Sequence, residues 1–197
     1  MDLDGFWALI DESRVFAADD PPRSQRVIKL LERLPSSEIV DFEALKDQMI
    51  RQADTVGVLA AHNVITGGYG GGDFYFYFLH WLVSLGRQTF ERVTADPDTL
   101  VDVGELPEPI GNYRTWPDER WPHWEGLISV AAEAYATVTG NEFGGEVDVR
   151  DITRSLSDPD TRGEFWDMDD PGELATRLPQ LYQAAVPNLR GGWPQGF

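Results

Sequence analysis

Apolar positions recur at intervals of three and four along most of this chain, the period of a helix with one buried face. Phe6, Trp7, Leu9 and Ile10 mark a first helix that Asp2 or Asp4 can cap. Asp19-Asp20-Pro21-Pro22 closes it and opens a second, with Val27, Leu30, Leu31 and Leu34 on one side. A short joint, Leu34-Pro35-Ser36-Ser37-Glu38, leads into Ile39, Phe42, Leu45 and Met49. Val56, Leu59, Ala60 and Asn63 carry a further helix to a run of glycines. Beyond the run, Asp73 caps a helix predicted to pass through Trp81, Leu85 and Phe90 to about Val93. Leu127, Ala131, Ala134 and Val138 repeat the pattern until Thr139-Gly140-Asn141 stops it. Leu174, Leu178, Leu181 and Ala185 form the last such series, in which Pro179 is expected to kink or break the helix.

Sustained alternation is absent, and residues 146–150 offer at most a short strand. The pattern predicts an all-α protein: one helical domain over 1–186, then a loose tail, 187–197. Its predicted core joins Trp7, Leu31, Phe42, Leu59, Trp81, Ala131 and Leu178. Two stretches depart from helical spacing. Residues 96–122 contain Pro97, Pro107, Pro109, Pro117 and Pro122, and residues 141–168 are acidic and turn-rich.

Composition narrows the classes of function. The 197 residues include no cysteine, which excludes disulfides, thiol catalysis and cysteine-ligated metals. No apolar run approaches a membrane span, and the first residues lack a signal peptide's basic start, so a cytoplasmic protein with no membrane partner is expected. The net charge of −18 is concentrated: residues 1–95 hold 14 acids against 9 bases, residues 96–173 hold 20 against 5. Such a surface repels phosphate backbones and disfavours nucleic acid as a partner. It either keeps the protein soluble or offers a docking face to a basic protein or peptide.

Candidate chemistry gathers around Thr66-Gly67-Gly68-Tyr69-Gly70-Gly71-Gly72-Asp73 and the aromatic helix that follows. Asn63, Gly67, Gly68, Tyr69 and Gly70 can line a ligand site there, since a glycine-rich turn before a helix exposes backbone N–H groups. The same glycines can merely join two closely packed helices. His62 and His80 flank the loop; with Asp73 they are candidates for proton transfer. No zincin or di-iron spacing surrounds them, and the calcium-like series from Asp158 to Asp169 places Arg162 at a ligand position. No metal and no cofactor is therefore expected. Glu133, one position from an apolar face, becomes an acid–base candidate if buried. Trp116, Trp121 and Trp124, spaced by prolines, either cap the core or form an aromatic lip, with Trp121 the candidate ligand contact.

The order of these pieces resembles the bacterial domain-of-unknown-function 4240 family. The resemblance rests on the Phe6-to-Ile10 opening, Leu34-Pro35-Ser36-Ser37-Glu38-Ile39, the Ala60-to-Gly68 stretch, Phe78-Leu79-His80-Trp81-Leu82, Ala95-Asp96-Pro97-Asp98, Val130-to-Tyr135 and Leu174-to-Pro179. It implies a shared helical fold and carries no biochemical activity. Two functions are consistent with the residues. One is an acidic binding or regulatory module for a basic partner. The other is a small enzyme acting on a peptide or metabolite in an aromatic pocket beside the glycine loop.

Overall fold

A computed structural model of the protein describes residues 1–15, 21–68, 72–141 and 161–189. Its α-helices are α1 (Leu3–Glu12), α2 (Arg23–Leu31), α3 (Ser36–Ala53), α4 (Val56–Thr66), α5 (Asp73–Ser84), α6 (Arg87–Ala95), α7 (Val130–Thr139), α8 (Pro171–Arg177) and α9 (Pro179–Ala185). Among the described residues there is no sheet, and the fold is all-α. The 146–150 segment lies outside the described residues, as do Tyr69, Gly70 and the tail from residue 190.

The chain divides into two compact units. Met1–Gln52 and Trp124–Asp160 make the first. Asp2 accepts a hydrogen bond from the Gly5 N–H at 2.8 Å and so caps α1. Phe6 and Trp7 meet edge-to-face at 5.0 Å, and Phe6 lies 5.1 Å from Phe42 of α3. α2 packs along α7, and Trp124 is fixed beside α2 by an indole N–H donated to Ser24 Oγ at 2.9 Å.

The buried side of α3 runs Ile39, Phe42, Glu43, Lys46, Met49, Ile50 and Ala53. This is helical spacing with two charged residues inside the stripe. Leu45, expected inside, is only half-buried. The Lys46 ammonium donates to Glu43 Oε1 at 2.7 Å and to the Ile128 carbonyl at 3.3 Å.

Ala53–His123 and Thr161–Phe197 make the second unit. Thr55 caps α4 through its hydroxyl, and a single parallel bridge pairs Thr55 with Arg162. α4 packs against α5, α9 and the 3₁₀ segment Pro97–Asp102. The helix predicted from Asp73 to Val93 is two helices. Gly86, at φ 87°, turns the chain between α5 and α6 in a conformation that a side chain would strain. The break expected at Pro179 is present, with Leu178 ending α8 and preceding α9. The proline-rich stretch folds as further 3₁₀ turns at Tyr113–Thr115 and Asp118–Arg120. Trp81 is 8 % exposed and stacks on Phe78 at 5.5 Å.

Candidate functional site

In the first unit a groove of ≈ 620 Å³ lies between α1, the end of α2 and the start of α3. One face of α1 supplies Asp2, Gly5, Ala8, Leu9 and Glu12 to it, at helical intervals. Gly5 and Ala8 keep that wall low. Leu30, Arg33 and Leu34 form the opposite wall, and Glu38 closes the end. The α2 region has more apolar residues than its core contact accepts: Val27, Ile28 and Leu31 are buried, while Leu30 and Leu34 remain half-exposed in the groove.

Three carboxylates, Asp2, Glu12 and Glu38, stand around this apolar floor with one basic side chain, Arg33, and with Met1. Asp2 is engaged as the α1 cap. The Met1 amino group pairs with Asp41, which raises that amine's pKa. The volume lies in the range of small-molecule and peptide-side-chain sites. Sequence reading assigned Leu30 and Leu34 to the core. The overlooked residue was Ile28, which is buried with Val27 and Leu31 in place of Leu30 and Leu34.

The residues singled out around the glycine run belong to the second unit. Gly67 is the left-handed C-cap of α4, with φ 70°. A Cβ on it would stand 2.2 Å from the Gly111 carbonyl oxygen, so the backbones touch there. The Gly68 N–H closes the cap on the Asn63 carbonyl at 2.8 Å. The Asn63 amide donates to Met168 Sδ at 3.8 Å. Asp73 is exposed at the first turn of α5. His80 is buried and donates Nδ1–H to the Phe76 carbonyl at 2.9 Å. Glu133, in the first unit, is exposed and accepts a hydrogen bond from Ser129 Oγ at 2.7 Å.

His62 and Trp121 do come together. They share a small cavity with Thr66, Phe74, Trp116, Pro122 and His123. Asp73 and His80 are not among its walls. His62 is 2 % exposed, with its ring 4.8 Å from Phe78 and 5.5 Å from Tyr75. Burial lowers its pKa to about 3, and only the Asn63 side chain works the other way, so the imidazole is neutral. Its Nδ1 has no hydrogen-bond partner. Phe74 and Trp121 meet at 5.5 Å beside the cavity. The Trp116 indole N–H is engaged by the Pro109 carbonyl at 3.0 Å.

Two further polar clusters are buried. In the second unit Asp54 Oδ1 accepts from the Tyr75 hydroxyl at 3.1 Å and from Thr161 Oγ1 at 3.0 Å. Burial first, and the Asp54 charge second, raise the Tyr75 pKa far above its ordinary value. In the first unit, burial and the neighbouring Glu43 push Asp47 up to about 7. Asp47 Oδ2 and Glu43 Oε2 have no hydrogen-bond partner. Among the described residues no group of three His, Asp or Glu side chains is placed to hold a metal ion. Nor is any described helix long and apolar enough to cross a membrane.

A family model described as "Protein of unknown function (DUF4240)" matches residues 1–137. The chain belongs to the DUF4240 family. In this DUF4240 protein the match takes in every residue of the α1–α2 groove and every wall of the His62 cavity. No curated protein and no solved structure matches the chain.

Proposed function

We propose that this DUF4240 protein is a binding module that receives a basic amphipathic segment of a partner protein in the groove between α1 and α2. The observation that carries this reading is the pairing of an apolar floor (Ala8, Leu9, Leu30, Leu34) with an acidic rim (Asp2, Glu12, Glu38) in one cavity of ≈ 620 Å³. An apolar groove takes the hydrophobic anchors of a peptide, and a surplus of carboxylates at its edge selects lysine or arginine beside those anchors. Arg33, the single basic side chain, accommodates one acid of the segment and so fixes its direction. The net charge of −18 adds long-range attraction for the same partner.

The test uses a fluorescent amphipathic Leu/Lys helical peptide and its Leu/Glu counterpart as probes. The Leu/Lys peptide should bind, more tightly as salt falls, because exposed charges are screened over about 8 Å at physiological ionic strength. Ala8→Trp, which fills the groove at an exposed position, should abolish binding without unfolding the protein. Equal affinity for both peptides, or unchanged affinity in Ala8→Trp, refutes the groove as the site. A small-molecule enzyme at the His62 cavity has less support, since burial holds His62 neutral and Asp73 and His80 stand outside the cavity walls.

A further inference from the structure

The His62 cavity combines three properties that structural packing alone does not require. Its space open to a water's centre is ≈ 10 Å³, about the least that admits one water-sized group. Its walls are mostly aromatic: Phe74, Trp116 and Trp121, with the His62 and His123 imidazoles. It also contains a buried nitrogen, His62 Nδ1, with no partner.

The chemistry of that nitrogen can be assigned. A neutral imidazole carries one N–H. With that proton on Nε2, the unpartnered Nδ1 keeps its lone pair. It accepts and does not donate. Thr66 Oγ1 directs its own proton to the backbone, at 2.9 Å from the His62 carbonyl, which leaves its oxygen free to accept as well. A water-sized space with two acceptors and electron-rich ring faces disfavours anions and suits a small cation with N–H groups.

We infer that this cavity binds the ammonium tip of a primary alkylamine, with one N–H donated to His62 Nδ1 and a second to Thr66 Oγ1. An ammonium headgroup is close to water in size, so the cavity admits it and excludes a quaternary ammonium. The aromatic faces supply cation–π attraction that grows as the headgroup leaves water. The site lies in the second unit and is independent of the α1–α2 groove.

The experiment is an NMR titration of the full chain, following the ¹⁵N shift of His62 Nδ1 and the Trp121 indole N–H. The probes are n-butylammonium, Nα-acetyl-lysine methylamide and tetramethylammonium. Butylammonium should move both signals on one isotherm, and tetramethylammonium should bind at least about tenfold more weakly. Tighter binding of the lysine derivative assigns the ammonium to a peptide lysine; preference for butylammonium assigns a free amine. Trp121→Leu, at a half-buried position, should weaken butylammonium about tenfold or more, and His62→Phe should remove the acceptor. The inference is overturned if His62 Nδ1 does not move in the wild-type protein, if tetramethylammonium binds as tightly, or if Trp121→Leu is without effect. Ala8→Trp should leave this titration unchanged, which separates it from the peptide test.

Discussion

The two units bury polar groups in opposite ways. The first places a lysine and a carboxylate in the core stripe of one helix, where Lys46 and Glu43 offset each other's charge, with Asp47 half-buried beside them. The second buries His62 as a neutral ring and satisfies Asp54 with two hydroxyl donors. Aromatic content follows the same division: 16 of the 23 aromatic residues belong to the second unit, where ring surface does the enclosing. Charge compensation is the costlier arrangement, because desolvating both ions offsets most of their attraction. The comparison teaches that the first unit's buried carboxylate depends on a counter-ion, whereas those of the second depend on hydrogen-bond donors.

Removing one ion should break that contrast most visibly. Lys46→Met leaves Glu43 buried without its ion-pair partner and should cost about 3–5 kcal/mol in a urea titration. Glu43→Leu/Lys46→Met/Asp47→Leu together should recover most of that loss, as apolar replacements of buried ion groups often do. In the second unit Trp81→Ala should cost a similar 3–5 kcal/mol, through lost burial and a cavity. A loss below about 1 kcal/mol in either single variant would show that its side chain is not held as described.

The response to pH sharpens the comparison, since the two units have opposite signs. Asp47 is raised from 3.8 to about 7 in the folded protein, so folding takes up a proton between those values. Its contribution is complete below pH 4 and lost as pH rises through 7. Asp47→Asn should therefore be more stable than the parent at pH 8, by up to about 4 kcal/mol, and have no such advantage at pH 4. His62 is lowered from 6.5 to about 3, so its contribution is complete above pH 6.5 and lost as pH falls toward 3. At pH 5 that amounts to about 2 kcal/mol, a loss that His62→Phe should not share. Unfolding curves at pH 4, 5 and 8 check both signs.

Smaller effects test the second unit's joints. Asp98, 4 % exposed, accepts from the backbone N–H groups of Gln180 and Leu181 at 3.1 and 2.9 Å and from the Gln180 side chain at 3.1 Å. Asp98→Ala should cost about 1–2 kcal/mol, as for other lost caps, and should raise hydrogen exchange in α9 before α4. By contrast, Glu173→Ala removes only an exposed pair with Arg177 and should change stability by less than about 0.5 kcal/mol.

Much of the helical plan was legible because it rests on local rules. Of the two caps open to α1, Asp2 and Asp4, the structure uses Asp2, and of the kink or break expected at Pro179 it shows the break. The α3 core was misread at Leu45 because hydropathy assigns Glu43 and Lys46 to the surface; only tertiary pairing lets them occupy core positions. Gly86 was hidden inside a helical series that runs from Trp81 through Leu85 to Phe90, and its effect depends on a backbone dihedral that periodicity does not report. Of the candidate site, His62 and Trp121 were named from sequence and line one cavity, although 59 positions separate them. The groove was invisible for a different reason. It is made by what α1 lacks, bulk at Gly5 and Ala8, and such an absence becomes a shape only when a second helix lies opposite.

The clasp at Asp98 also sets a schedule. Gln180 follows Asp98 by 82 positions, so at roughly 5–20 residues per second the ribosome delivers it some 4–16 s later. Through that interval the carboxylate must stay hydrated, and the faces of α4 and the 97–102 turn that receive α9 remain bare. The second unit therefore closes only near the end of its own synthesis. A nascent chain stalled between those two points presents an open apolar surface, which makes this interval the protein's most vulnerable to proteolysis and to mispairing with its neighbours on the same message.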